Sequence, residues 1–166
     1  MKKIFCLSLV FWAFSLVSCS SIKKKAVGFY IDQLKDKKAE TVYFEKLPLS
    51  YKKEEHPVLD ALWRNEDLSS ISYFSSCSKV PKKLENFQSS TYPSGYKQIS
   101  SSKQENSLYS VLELSQSQSS PKTFMAIYTT RIKDCYFNIN LVAGSLSSFK
   151  KEEPLFKKFI KSFNYK

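Results

Sequence analysis

The sequence predicts an α+β fold: an antiparallel β-sheet flanked by helices and closed by an amphipathic C-terminal helix. Three observations carry this. Cys135, Phe137, Ile139 and Leu141 alternate with Tyr136, Asn138 and Asn140, the period of two expected of a half-buried antiparallel strand. Leu155, Phe156, Phe159, Ile160 and Phe163 form one stripe, with Lys157, Lys158 and Lys161 on the other side, which is helical spacing. In mid-chain, Pro81 precedes Leu84 and Phe87, and a proline at the first turn suits a short helix over 81–90.

In chain order, Met1-Lys2-Lys3 is a basic start, and Ile4 to Val17 carries no charge. A basic n-region and a short apolar run read as a secretory leader, since a spanning helix needs roughly 20 apolar residues. Residues 19–26 are polar and basic and read as a tether. The folded domain is expected over 27–166. Val27 to Ile31 is apolar, Asp32 to Glu40 is charged, and Thr41-Val42-Tyr43-Phe44 favours a strand. Residues 49–56 read as a charged loop. Val58, Leu59, Leu62 and Trp63 fit either a helical face or a short buried strand. The turn signal Asn65-Glu66-Asp67 and the in-phase Ile71, Tyr73, Ser75 and Cys77 favour a hairpin. Ser94-Gly95 ends the mid-chain helix. The serine- and glutamine-rich stretch from Tyr96 to Ser120 contains one expected strand, 107–116. Phe124, Ala126, Tyr128 and Ile132 share a strand face, Lys133-Asp134 makes a tight turn, and Gly144 closes the next strand. Pro154 fits the first turn of the last helix, with Glu152 and Glu153 at its positive end. That helix either docks on the sheet, which needs a cover, or lays its basic face on a membrane.

Composition narrows the field of partners. Lys2 and Lys3 lie in the leader and no acidic residue does, which takes the formal charge from +11 to +9. Arg64 and Arg131 are the sole arginines. Lysine spread along the chain reads first as solvated surface, because bidentate phosphate and nucleic-acid recognition favours arginine. The functional reading is attraction to anionic lipid or an acidic envelope polymer. No nucleic-acid partner is expected.

Leu16-Val17-Ser18-Cys19 resembles the lipobox of bacterial lipoproteins. The resemblance implies cleavage before Cys19, lipid (palmitate among it) on that thiol and a membrane-anchored domain. One acyl chain gives marginal binding and two or more hold firmly. Ser20 resembles the outer-membrane sorting signal of that family, so the outer membrane, at its periplasmic face or the cell surface, is expected rather than the inner one. In an oxidising compartment disulfides persist, and Cys77 and Cys135 are expected to pair. Their loop contributes roughly 4 kcal/mol by chain entropy. Two buried free thiols are the alternative.

The middle helix, the run of antiparallel strands and the closing Phe159-Ile160-Lys161-Ser162-Phe163 together resemble the PsbP-like α/β/α sandwich over about residues 40–165. This implies fold and no functional residue.

Catalytic chemistry is poorly represented. His56 is the single histidine, near Asp60, and no Gly-x-Ser-x-Gly elbow exists. One histidine and two spaced cysteines give no zinc spacing. The pairs Glu54-Glu55, Glu66-Asp67 and Glu152-Glu153 read as loop, turn and helix start. No catalytic, cofactor or metal residue is assigned, and no cofactor is expected. The expected function is a membrane-anchored envelope lipoprotein with a non-catalytic binding or scaffold role, engaging an envelope protein complex or an anionic polymer. The alternative is an anchored hydrolase of cell wall or lipid, which a cleft joining His56 to a carboxylate or serine would favour.

Overall fold

The two strands with the clearest alternation lie inside the sheet. These are β7 (Thr123–Ile132) and β8 (Cys135–Ala143), joined by Lys133-Asp134, with Ile132 opposite Cys135. Lys133 takes the left-handed conformation the tight turn requires (φ 55°). The structure is a computed structural model that describes Ala39 and residues 42–78, 82–93, 95–114 and 122–165. These lie in one compact unit beginning at Lys37. The expected run Val27 to Ile31 lies outside the described residues.

Around this hairpin stand β2 (Lys52–Glu54), β3 (Ala61–Arg64), β4 (Ser70–Cys77), β5 (Tyr96–Gln104) and β6 (Ser107–Leu114). All neighbours are antiparallel, in the order β2-β3-β4-β8-β7-β6-β5. A two-stranded ribbon pairs β1 (Val42–Tyr43) with β9 (Asn164–Tyr165). The α+β expectation holds, and so does the hairpin across Asn65-Glu66-Asp67. There the Ser69 N–H donates to Asn65 Oδ1 at 2.9 Å and the Leu68 N–H to the Asn65 carbonyl at 3.1 Å.

Helix α1 (Leu84–Ser89) and helix α2 (Leu146–Lys161) cover opposite faces. On one face Ile71, Phe124, Ala126, Ile139, Leu141 and Ala143 pack against Phe149, Phe156 and Phe159 of α2. Fully burying a side chain of this size contributes about 1.5–3 kcal/mol. On the other face Phe74, Phe87 and Tyr136 form one cluster, and Leu112, Met125 and Ile127 another. Helix α2 therefore docks on the sheet. Phe44 locks the segment after β1 onto it, stacked on Phe159 at 4.6 Å between ring centroids.

The expected disulfide is present. Cys77 and Cys135 are bonded, 58 residues apart, and face each other in the β4–β8 register.

Four expectations need correcting. Residues 49–56 are not wholly loop, because Lys52–Glu54 pairs with β3 as an exposed edge. The serine-rich stretch holds two strands rather than one, since Tyr96–Gln104 pairs with β6 through its backbone while its side chains face solvent. Strand β8 is buried on both faces, not half-buried: Tyr136 and Asn138 are 1% and 0% exposed, because α1 and the chain after it cover that side. Finally, α2 begins two turns before Pro154. Ser145 caps it by accepting from the Ser148 N–H at 3.1 Å, the geometry that satisfies an orphan amide. Pro154 lies within the helix, where it has no N–H to donate to the carbonyl of Lys150.

Candidate functional site

The cleft that would test hydrolytic chemistry exists. Val58 is buried and Leu59 packs against the cluster of Phe74, Phe87 and Tyr136. Burying these two side chains folds the loop before β3 back on itself. The result is an open cleft of about 850 Å³ whose walls include Lys53, Glu54, Glu55, His56 and Asp60.

Its hydrogen bonds decide what it can do. His56 Nδ1 accepts from the Val58 and Leu59 amides, both at 3.2 Å. The neutral imidazole then carries its proton on Nε2 and can donate there but not accept, so it is not set as a general base. Asp60 Oδ2 accepts from both the N–H (2.6 Å) and the Oγ–H (2.5 Å) of Ser75, and the Asp60 N–H donates to the Tyr73 carbonyl. Ser75 is 0% exposed. A nucleophilic serine must reach both a base and a substrate, and this one is sealed inside β4. Burial raises the Tyr73 phenol above its ordinary range, with the Asp60 charge adding to it.

The acidic pairs separate in space. Glu54 meets Arg64 at 3.5 Å and Asp67 meets Lys151 at 2.8 Å. Glu152 is not a helix-start residue. It sits buried in mid-helix, accepting from Tyr51 Oη (2.8 Å) and Asn65 Nδ2 (3.2 Å). Glu153 accepts from Tyr109 Oη at 2.9 Å and pairs with Lys157. Burial pushes the Tyr51 and Tyr109 phenols well above their usual range, and each acidic partner adds to the shift.

Cys19 lies outside the described residues. Among the described residues no helix is long and apolar enough to cross a membrane, and no group of three or more His, Cys, Asp or Glu side chains could hold a metal ion. Sequence reasoning missed Ser75 as the partner of Asp60. It also missed a lysine-lined groove at Arg131, for which the scarcity of arginine was the available signal.

No protein-family model matches the chain, and no curated protein matches its sequence. Solved structures match its fold. A point mutant of the protein Mog1 aligns at 10% identity and TM-score 0.51, covering 76% of this chain and 96% of that one. The Ran-binding protein Mog1p of Saccharomyces cerevisiae aligns at 9% identity and TM-score 0.51, covering 78% and 96%. The solution structure of a cyanobacterial PsbP from Synechocystis aligns at 14% identity and TM-score 0.48, covering 76% and 92%. Identities this low relate the chain to the two Mog1 structures by fold alone.

Proposed function

We propose that this chain is a lipoprotein, cut before Cys19 and anchored there by lipid. Its folded unit serves as a non-catalytic binding or scaffold module of the cell envelope. One observation carries the non-catalytic reading: the single histidine accepts from its own loop while Ser75, the serine bonded to Asp60, is buried. The use of this fold by a Ran-binding protein in yeast supports engagement of a protein partner. Ser20 supports placement at the outer membrane, facing the periplasm or the exterior.

Intact mass and membrane fractionation, wild type beside Cys19→Ala, test the anchor. The expected wild type lacks residues 1–18, carries added lipid mass and fractionates with membranes, and the variant does none of these. An unlipidated, soluble wild type removes the anchor. Crosslinking in the envelope then tests the binding role, with the adduct expected to survive His56→Ala.

The cleft joining His56 and Asp60 favours a second reading, an anchored hydrolase of cell wall or lipid. Release of wall or lipid fragments by wild type that disappears in His56→Ala would put this reading in place of the first.

A further inference from the structure

On the α1 side of the sheet, the start of α1, the β5–β6 turn and the end of β7 enclose a groove of about 540 Å³. Lys82, Lys83, Lys103 and Arg131 line it, against two carboxylates, Glu85 and Glu105. Glu85 is committed to Lys103 at 2.6 Å. Lys82, Lys83 and Arg131 have no ion pair among the described residues. Set against Glu105 alone, these three cations leave the groove net positive, a charge that a bound anion would offset.

Arg131 is also aimed. Its guanidinium lies 5.5 Å from the centroid of the Tyr136 ring, its partner across β7 and β8. Its Nε–H donates to the Lys133 carbonyl at 3.2 Å. These contacts fix the guanidinium plane and leave the two terminal amino groups without a hydrogen-bond partner among the described residues. The same Tyr136 stacks on Phe87 at 4.7 Å between centroids. Its hydroxyl accepts from the Lys82 N–H at 2.5 Å and donates to the Lys82 carbonyl at 2.7 Å. One buried phenol thus registers both the arginine fork and the lysine backbone. The opposite wall is held as well, since the Asn106 carbonyl accepts from the Arg131 N–H at 3.2 Å and from Thr130 Oγ1 at 2.9 Å.

We propose that this groove binds a phosphate group, gripped by the Arg131 fork and neutralised by the Lys82 and Lys83 ammonium groups. A planar fork held in place matches two phosphate oxygens. With Lys103 spent on Glu85, the three remaining cations against Glu105 leave two positive charges; a carboxylate would engage the fork and offset one of them, whereas a phosphate monoester offsets both. The groove exceeds a bare phosphate, leaving room for its carrier, whether a soluble phosphorylated sugar or a lipid headgroup. The proposal rests on reading the chain as a binding module and is independent of the lipid anchor.

The test uses the full chain in micelles of uncharged detergent, followed by ¹H–¹⁵N spectra. The probes are inorganic phosphate, dihexanoyl phosphatidic acid and, as the comparison, acetate. Phosphate or phosphatidic acid is expected to shift the Arg131 Nε–H and the Lys82 amide, more weakly as salt is raised. Saturation by inorganic phosphate supports the proposal with a soluble ligand, and a response to phosphatidic acid alone supports it with a headgroup. Arg131→Lys, which keeps the charge and loses the fork, is expected to weaken binding about tenfold, with Arg64→Gln unchanged. Should Arg131→Lys not fold, the exposed pair Lys82→Gln and Lys83→Gln takes its place, with the same loss expected. Silence with both phosphate probes, equal binding of acetate, or undiminished binding in these variants overturns the proposal. An envelope crosslink that survives such silence keeps the binding role while removing the groove.

Discussion

Tyr51 and Glu152 are 101 residues apart and joined by one hydrogen bond: the phenol at the head of β2 donates to the carboxylate in mid-α2 at 2.8 Å. With Asn65 on the other oxygen, this bond ties the sheet edge, the β3–β4 turn and the long helix together. Glu152 is 6% exposed, so removing a donor strands part of a buried charge. Tyr51→Phe is expected to cost about 2 kcal/mol in urea unfolding. A double cycle with Glu152→Gln should return a coupling energy clearly different from zero. Additive effects would mean that the bond contributes nothing.

The same burial sets the alkaline limit. Tyr51 and Tyr109 have folded pKa values raised above the unfolded phenol value of about 10, chiefly through burial and then through Glu152 and Glu153. The folded state therefore holds protons that the unfolded state releases above pH 10. Their contribution is intact below that pH and is lost as pH climbs toward the folded values. Stability should be level in these groups from pH 7 to about 10 and fall beyond. Ultraviolet phenol titration should show late-ionising tyrosines whose number drops in Tyr51→Phe and Tyr109→Phe.

Gln88 is the hub beneath α1. Its Nε2 donates to Thr129 Oγ1 at 2.8 Å and to the carbonyls of Leu108 and Ile127, while its Oε1 accepts from Tyr92 Oη and Ser110 Oγ. Thr129 in turn donates to Asn138, which donates to Thr91. Gln88→Leu keeps the volume and leaves these groups buried without partners, at a cost on the order of 3 kcal/mol. Hydrogen exchange should speed first in β6 and β7. Unchanged protection there would show that the network is dispensable.

Reduction of Cys77–Cys135, or the double serine variant, is expected to lower stability by roughly 4 kcal/mol, read from denaturant midpoints with and without reductant. Alkylation of the native protein should label neither thiol. Two labelled thiols without reductant would contradict the bond.

The β7–β8 hairpin was legible because its side chains carry the period. Strand β5 was not. Its Lys, Gln and Ser side chains face water on both sides, so backbone pairing with β6 alone makes it a strand, and no hydrophobic pattern records that. The start of α2 was misread because Pro154 imitates a first turn, whereas Ser145 and the docking of Phe149 decide it. Asn138 read as a solvent-facing residue because sequence does not show that Gln88, Thr129 and Thr91 converge on it. The disulfide followed from compartment and count. The Arg131 groove did not, because it depends on Tyr136 joining three elements that lie far apart in the chain.

The ribbon of β1 and β9 has a mechanical consequence. Tension arriving along the chain at Val42 meets Tyr165 and Asn164 across the ribbon, then the Phe44–Phe159 stack and the hydrogen bond from the Glu45 N–H to Ser162. Because Phe44 also packs on Trp63 and Tyr73, and the Ala39 N–H donates to Ser75 Oγ at 3.0 Å, the pull is divided between the end of α2 and strands β3 and β4 rather than falling on one element.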